Sequence, residues 1–413
     1  MGNNDYQLVT LNNCLRFAHL NVSSTLLVHC GFVVNSGSRD DGPIEGIAHF
    51  LEHMLFKGTH KRKTVHVLNH LENVGGELNA FTTKELTSVY ATVQKKHFQR
   101  AVDILVDITF RSSFPEVEIQ KEKTVIKDEI NMYLDNPDEN IYDEFQEMVF
   151  ENHPLAHNIL GSEKSISQIN AGNLKDFVTN NYTAANIVFV VVGNVSLNRT
   201  VEALNKFMAD IELPSSIKKH NYQPINYSRK RIEKPSDFGQ SYGIMGIPCY
   251  TDTHEMRYPM ILLNNLLGGP GMNSRLNLGI REKYGFTYHI ESGYSAFSDT
   301  GLFHCYLSCE ERYLKRSFQL IRKELQKLKT NKLGKLQLQQ AKNQIAGNLI
   351  ISSESRNGLL LHIGKGIVKY GHANSIVETI SKIENVTAEQ VLAAANEIFN
   401  FEDFSELIYF PEP

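Results

Sequence analysis

The chain has 413 residues, 41 % of them hydrophobic and 21 % charged, the balance of a globular protein with room for more than one core. Its net charge is −4 with no long run of one sign, which argues against a nucleic-acid track or an acidic tail. The five cysteines, at 14, 30, 249, 305 and 309, lack a metal-ligand spacing and read as free thiols of a reducing compartment.

In chain order, the opening MGNNDYQLVT has neither a basic start nor an apolar core. No signal peptide is read there, and a cytoplasmic location is expected. The first helical pattern is GIAHFLEHMLFKGT, residues 46–59, where Ile47, Phe50, Leu51, Met54 and Leu55 form an apolar stripe. Beside that stripe stand His49, Glu52 and His53, which are costly to place there unless something pairs with them. Residues four apart share a helix face, so His49 and His53 can reach one ion, and Glu52 points to the same side. The order H-x-x-E-H is the inverted zincin motif: two imidazoles for a catalytic zinc and a carboxylate for its water.

ELNAFTTKE (77–85) alternates as a strand does, and SVYATV (88–93) reads as another. EVEIQKEKTVIKDEINMYLDNP (116–137) reads as a long helix whose inner stripe is Ile119, Ile126, Ile130 and Tyr133. Glu122 and Glu129, seven apart, fall on one face within that stripe, and buried carboxylates want a cation. A zinc held by two histidines needs a third ligand, usually a carboxylate, and this helix can supply it. IVFVVVG (187–193) is too short to span a bilayer and reads as a buried strand, so no membrane role is expected.

The chain is written twice. VYATVQKKHFQRAVDIL (89–105) resembles FHCYLSCEERYLKRSFQLI (303–321), and ISQINAGNLKDFV (166–178) resembles ISKIENVTAEQVLAAA (380–395), at nearly equal separations. We therefore expect two duplicated α+β halves, 1–215 and 233–413, joined by a linker over 216–232. Each half should be an antiparallel-rich sheet with helices packed on one face. ILLNNLLGG (261–269) stands in the second half where the first has its motif, with Asn264 and Asn265 in place of Glu52 and His53. Metal chemistry is thus expected in the first half only.

HFLEHMLFKGT, GGELNAFTTKELTSVYATV and VIKDEINM together resemble the pitrilysin family of zinc peptidases, which includes insulysin and mitochondrial processing peptidase. The resemblance spans both halves, because members are built from duplicated α+β units. It implies one Zn²⁺ per chain on His49, His53 and Glu129, the last of these 76 residues beyond the second histidine as in the family. It implies Glu52 as general base on the metal-bound water, and Glu122 as a catalytic-site residue orienting a ligand. In relatives the strand at 77–85 is a sheet edge that pairs with extended substrate, which makes Asn79, Ala80 and Phe81 substrate contacts. SRLNLGIREKYGFTYHI (274–290) carries the family's Arg and Tyr seven apart, here Arg281 and Tyr288, as a grip on the substrate and the tetrahedral intermediate. The implied activity is zinc-dependent endopeptidase action on short or unfolded peptides inside a closing chamber. Larger relatives join four such units in one chain, so a homodimer is expected, ahead of a heterodimer with a metal-less partner. The rival reading is a non-catalytic or partner-dependent scaffold subunit of the same family.

Overall fold

The computed structural model describes residues 6–214 and 225–412. The chain divides into two compact units, each assembled from separated segments. The first comprises the described residues of Met1–Asn131, His157–His220 and Ile351–Val377; the second, those of Met132–Ala156, Asn221–Ile350 and Glu378–Pro413. Much of the expected 216–232 linker lies outside the described residues, and 225–230 is irregular.

The first unit holds a six-stranded sheet of β1 (Gln7–Thr10), β2 (Arg16–Asn21), β3 (Leu27–Val34), β4 (Glu77–Thr82), β5 (Thr87–Gln94) and β6 (Ile187–Gly193). Its order is β1-β2-β6-β3-β5-β4, antiparallel except for the β2–β6 pair. The second unit holds β7 (Arg231–Ser236), β8 (Ser241–Cys249), β9 (Thr287–Ala296), β10 (Gly301–Cys309) and β11 (Ser405–Pro411) in the order β7-β11-β8-β10-β9, with only β7–β11 parallel. Reading β2 to β6 for β7 to β11 gives the same order and the same single parallel pair. The duplication read in the sequence is therefore a duplication of topology.

The repeated helix entries follow the same logic. Asn170 with Asn173, and Thr387 with Gln390, form capping boxes that start the helices Ala171–Asn181 and Ala388–Ile398. Each box satisfies two backbone N–H groups at a helix start.

The α+β class with antiparallel-rich sheets is present, and the structure adds a cover on the second face of each sheet. On β6, Ile187, Phe189 and Val191 enter one core, with Leu51, Leu105 and Ile119, while Val188, Val190 and Val192 enter another. That second core is closed by Leu359, Leu360, Ile363 and Ile367 of the helix Arg356–Tyr370. A strand covered on both faces needs apolar residues at every position, which is why 187–193 shows no alternation. In the second unit the helix Pro137–Val149 does the same, seating Ile141 and Phe145 against Ile244, Leu302 and Leu407. Each such aliphatic or aromatic side chain gains roughly 1.5–3 kcal/mol by leaving water.

Candidate metal centre

The helix Ile47–Met54 carries the histidine motif, and its entry is built by two residues. Asp41, buried, accepts hydrogen bonds from the backbone N–H of Gly46 (2.6 Å) and of Ala48 (3.0 Å). These are otherwise unpaired donors at a helix start, where a carboxylate also meets the positive end of the helix dipole. Gly46 has φ of +86°, and a Cβ there would lie 2.6 Å from the carbonyl oxygen of Leu160. Ile47, Phe50, Leu51 and Met54 bury the opposite face, which fixes the helix's rotation and turns His49, Glu52 and His53 together.

Glu129 comes from the helix Glu116–Leu134. Ile119 and Ile126 are fully buried and hold that helix against the core, while Ile130 and Tyr133 of the expected stripe are only half-buried. His49 Nε2 lies 3.9 Å from Glu129 Oε1, and His53 Nε2 lies 3.7 Å from Glu129 Oε2. The three ligand atoms lie within 4.8 Å of one another. These separations are too long for hydrogen bonds. They are close to the spacing of roughly 3.4 Å that ligands about 2.1 Å from a tetrahedral zinc would keep. Among the described residues this is the cluster of His, Cys, Asp or Glu able to hold a metal ion.

Glu122, 3 % exposed, sits behind the cluster. Its Oε1 is 2.9 Å from His53 Nδ1 and its Oε2 is 2.7 Å from Lys57 Nζ. Its carboxylate accepts, so Nδ1–H of His53 donates and Nε2 is left as the ligand atom. Glu52 Oε2 accepts a 2.7 Å hydrogen bond from the hydroxyl of Thr82. Tyr182 is buried nearby, its hydroxyl without a hydrogen-bond partner among the described residues and its ionisation opposed by burial and by the charge of Glu52.

The electrostatics favour a cation. Burial, aided by neighbouring His53, pushes the His49 pKa down to about 3, so that ring is neutral and able to ligate. Burial raises Glu52, with the Thr82 hydrogen bond pulling the other way. Burial alone would lower His53, but the bond to Glu122 and the charges of Glu122, Glu129 and Glu52 overcome it and leave the pKa raised. Glu122 is opposed by burial too, yet His53 and Lys57 hold it below its ordinary value. The cluster holds three carboxylates and one lysine, an excess of negative charge that a divalent ion between the two imidazoles and Glu129 would offset.

The other expected residues are placed as follows. β4 is an edge strand of its sheet and, among the described residues, pairs with β5 alone. On it Asn79 is exposed, Ala80 rests on the core, and half-buried Phe81 sets its ring 6.3 Å from that of Tyr90. In the second unit Arg281 lies in a π-helical turn, Asn277–Glu282, with Nη1 3.4 Å from Asn277 Oδ1. Tyr288 lies on the edge strand β9 and is 60 % exposed. Asn265 donates to Gln344 at 3.0 Å, and Asn264 Oδ1 accepts from Ser292 at 2.8 Å. Sequence reading missed Lys57, Thr82, Tyr182 and Asp41. Lys57 had a signal, standing one turn beyond His53; the other three had none.

A model of the insulinase family, peptidase family M16, matches residues 16–163, and one described as the peptidase M16 inactive domain matches 168–345. An uncharacterized zinc protease of Bacillus subtilis (strain 168) is 32 % identical over 403 residues, covering 97 % of each chain. The chain belongs to peptidase family M16. Another uncharacterized zinc protease, of Streptomyces coelicolor, is 31 % identical over 399 residues, covering 94 % of this chain and 86 % of that one. The fold matches a crystal structure from Pseudomonas fluorescens, described as a peptidase M16 inactive domain, with TM-score 0.90, 21 % identity and 99 % of each chain covered. A protease from Helicobacter pylori matches with TM-score 0.89 at 20 % identity, over 99 % of this chain and 100 % of that one. In this M16 chain His49, Glu52, His53, Glu122 and Glu129 fall within the first matched segment, while Arg281 and Tyr288 fall within the second.

Proposed function

We propose that this M16 chain is a zinc-dependent endopeptidase that hydrolyses short or unfolded peptides, with one zinc per chain on His49, His53 and Glu129. The observation that carries the reading is the donor set: two imidazole nitrogens and a carboxylate at ligand spacing, with a fourth ionisable group, Glu52, that the ion does not need. Bound zinc supplies a Lewis acid that polarises the scissile carbonyl and lowers the pKa of water. Glu52, oriented by Thr82, takes a proton from the attacking water and returns it to the leaving amine. Its burial-raised pKa suits a group that must both accept and release a proton. Glu122 holds His53 through Nδ1.

The outer edge of β4 offers backbone groups to an extended peptide, with Asn79, Ala80 and Phe81 as contacts, and main-chain pairing accepts many sequences. We assign Arg281 and Tyr288 to peptide binding as hydrogen-bond donors. The working form is a cytoplasmic homodimer. Among the described residues the five cysteines are free, and no helix is long and apolar enough to cross a membrane. Against the scaffold reading, which expects a broken ligand set, stands the cluster of His49, His53 and Glu129 with Glu52 beside it.

Chelation and restoration test this reading. A chelator should abolish cleavage of a quenched fluorescent peptide library, and one equivalent of zinc should restore it. Cleavage that survives complete removal of metal would contradict the proposal.

A further inference from the structure

We infer that Lys57 is a positioning residue for the metal centre: it fixes Glu122, and through it the ring of His53, so that Nε2 of His53 is presented with Glu129. This inference rests on the zinc assignment above and adds a residue to it. Glu122 is itself buried and has two carboxylate oxygens to satisfy. One faces His53 Nδ1 at 2.9 Å and the other faces Lys57 Nζ at 2.7 Å. Without the lysine, one oxygen of a buried carboxylate would lose its ionic partner, a loss costly enough to make the group turn or the site relax. His53 would then lose the acceptor that sets its ring.

The lysine is itself held. Its N–H donates to the carbonyl of Met54 at 3.1 Å, and its own carbonyl accepts the hydroxyl of Thr64 at 3.0 Å. Gly58 follows with φ of +119°, and a Cβ there would meet the carbonyl oxygen of Arg62 at 3.3 Å. The chain therefore leaves the histidine helix through a positive-φ position, directly after Lys57, that glycine adopts without strain. The lysine lies four residues beyond His53, so the ligand and the residue that anchors its support come from one continuous segment.

The test is zinc affinity of the full chain, stripped of metal and titrated against a chelating dye, with peptide cleavage followed separately. Lys57→Met and Glu122→Gln should each weaken zinc binding by roughly 10–100-fold, the usual effect of removing a support behind a ligand. The double variant should be no weaker than the worse single one, because both act through one contact. Lys57→Arg should recover most of the affinity. If Lys57→Met binds zinc as wild type does, the inference is wrong, even where its metal-free form melts at a lower temperature, since that is what a merely structural ion pair would show. If wild type binds no zinc, the metal assignment falls and this inference falls with it. That outcome is distinct from a wild type that binds zinc while Lys57→Met is unchanged.

Discussion

The chemistry turns on a few side chains whose neighbours decide what they can do. Glu52 is useful as a base only if its carboxylate is aimed, and Thr82 is the group that aims it. Thr82→Val should leave zinc content intact and lower kcat by roughly tenfold, the worth of one hydrogen bond to a charged group of about 1.4 kcal/mol. Steady-state kinetics with matched metal analysis would check this, and an unchanged kcat would remove Thr82 from the account. Glu129→Gln should instead strip zinc, because a neutral amide replaces an anionic ligand; metal content per chain is the measurement. His49, Glu52, His53, Glu122 and Glu129 stood out in the sequence because ionisable residues in an apolar stripe break an expected pattern, while the choice of Glu129 over Glu122 as third ligand came from the family resemblance. Thr82, Tyr182 and Asp41 break none, and their roles arise from contacts between distant segments.

The helix Ile47–Met54 is short, so its orientation depends on its entry. Asp41→Ala removes a cap from two backbone donors and should cost about 1–2 kcal/mol. Gly46→Ala adds strain at a positive φ together with a close approach to Leu160, and should cost at least as much. Both variants should melt at lower temperature, and both should bind zinc more weakly because the histidines lose their fixed spacing. Thermal unfolding with and without zinc would show whether the two losses travel together. At this scale β4, β5 and β6 were legible in the sequence, and 187–193 was read as a buried strand because it is a short apolar run. The helix Arg356–Tyr370 on the second face of the first sheet was not read. Its partners, Val33, Val188, Val190 and Val192, lie far away in the chain, and nothing local in 356–370 names them.

At the scale of the whole molecule, the duplication was visible as two pairs of similar segments, and the shared strand order explains why they recur. The units' discontinuity was not visible, because Met132–Ala156 and Ile351–Val377 each read as ordinary continuations of the half that precedes them. Stability should also depend on pH through His304, whose enclosed ring has a pKa pushed by burial down to about 4. The unfolded chain takes that proton near the ordinary value of about 6.5, so it binds more protons than the folded chain between these limits. Stability from this group is complete above pH 6.5 and is lost as the pH falls towards 4, by roughly 3 kcal/mol. Urea unfolding across that range should show the fall, and His304→Gln should make it shallower, the depressed His49 still contributing. The central claim, that one chain holds a zinc and a base and cuts peptides with them, is tested most directly by Glu52→Gln. Peptide cleavage and metal content should be measured side by side for wild type and variant. The account predicts about one zinc per chain in both and cleavage by wild type alone. A wild type that holds zinc yet cuts no peptide of any length, or a Glu52→Gln variant that cuts as well as wild type, would contradict it.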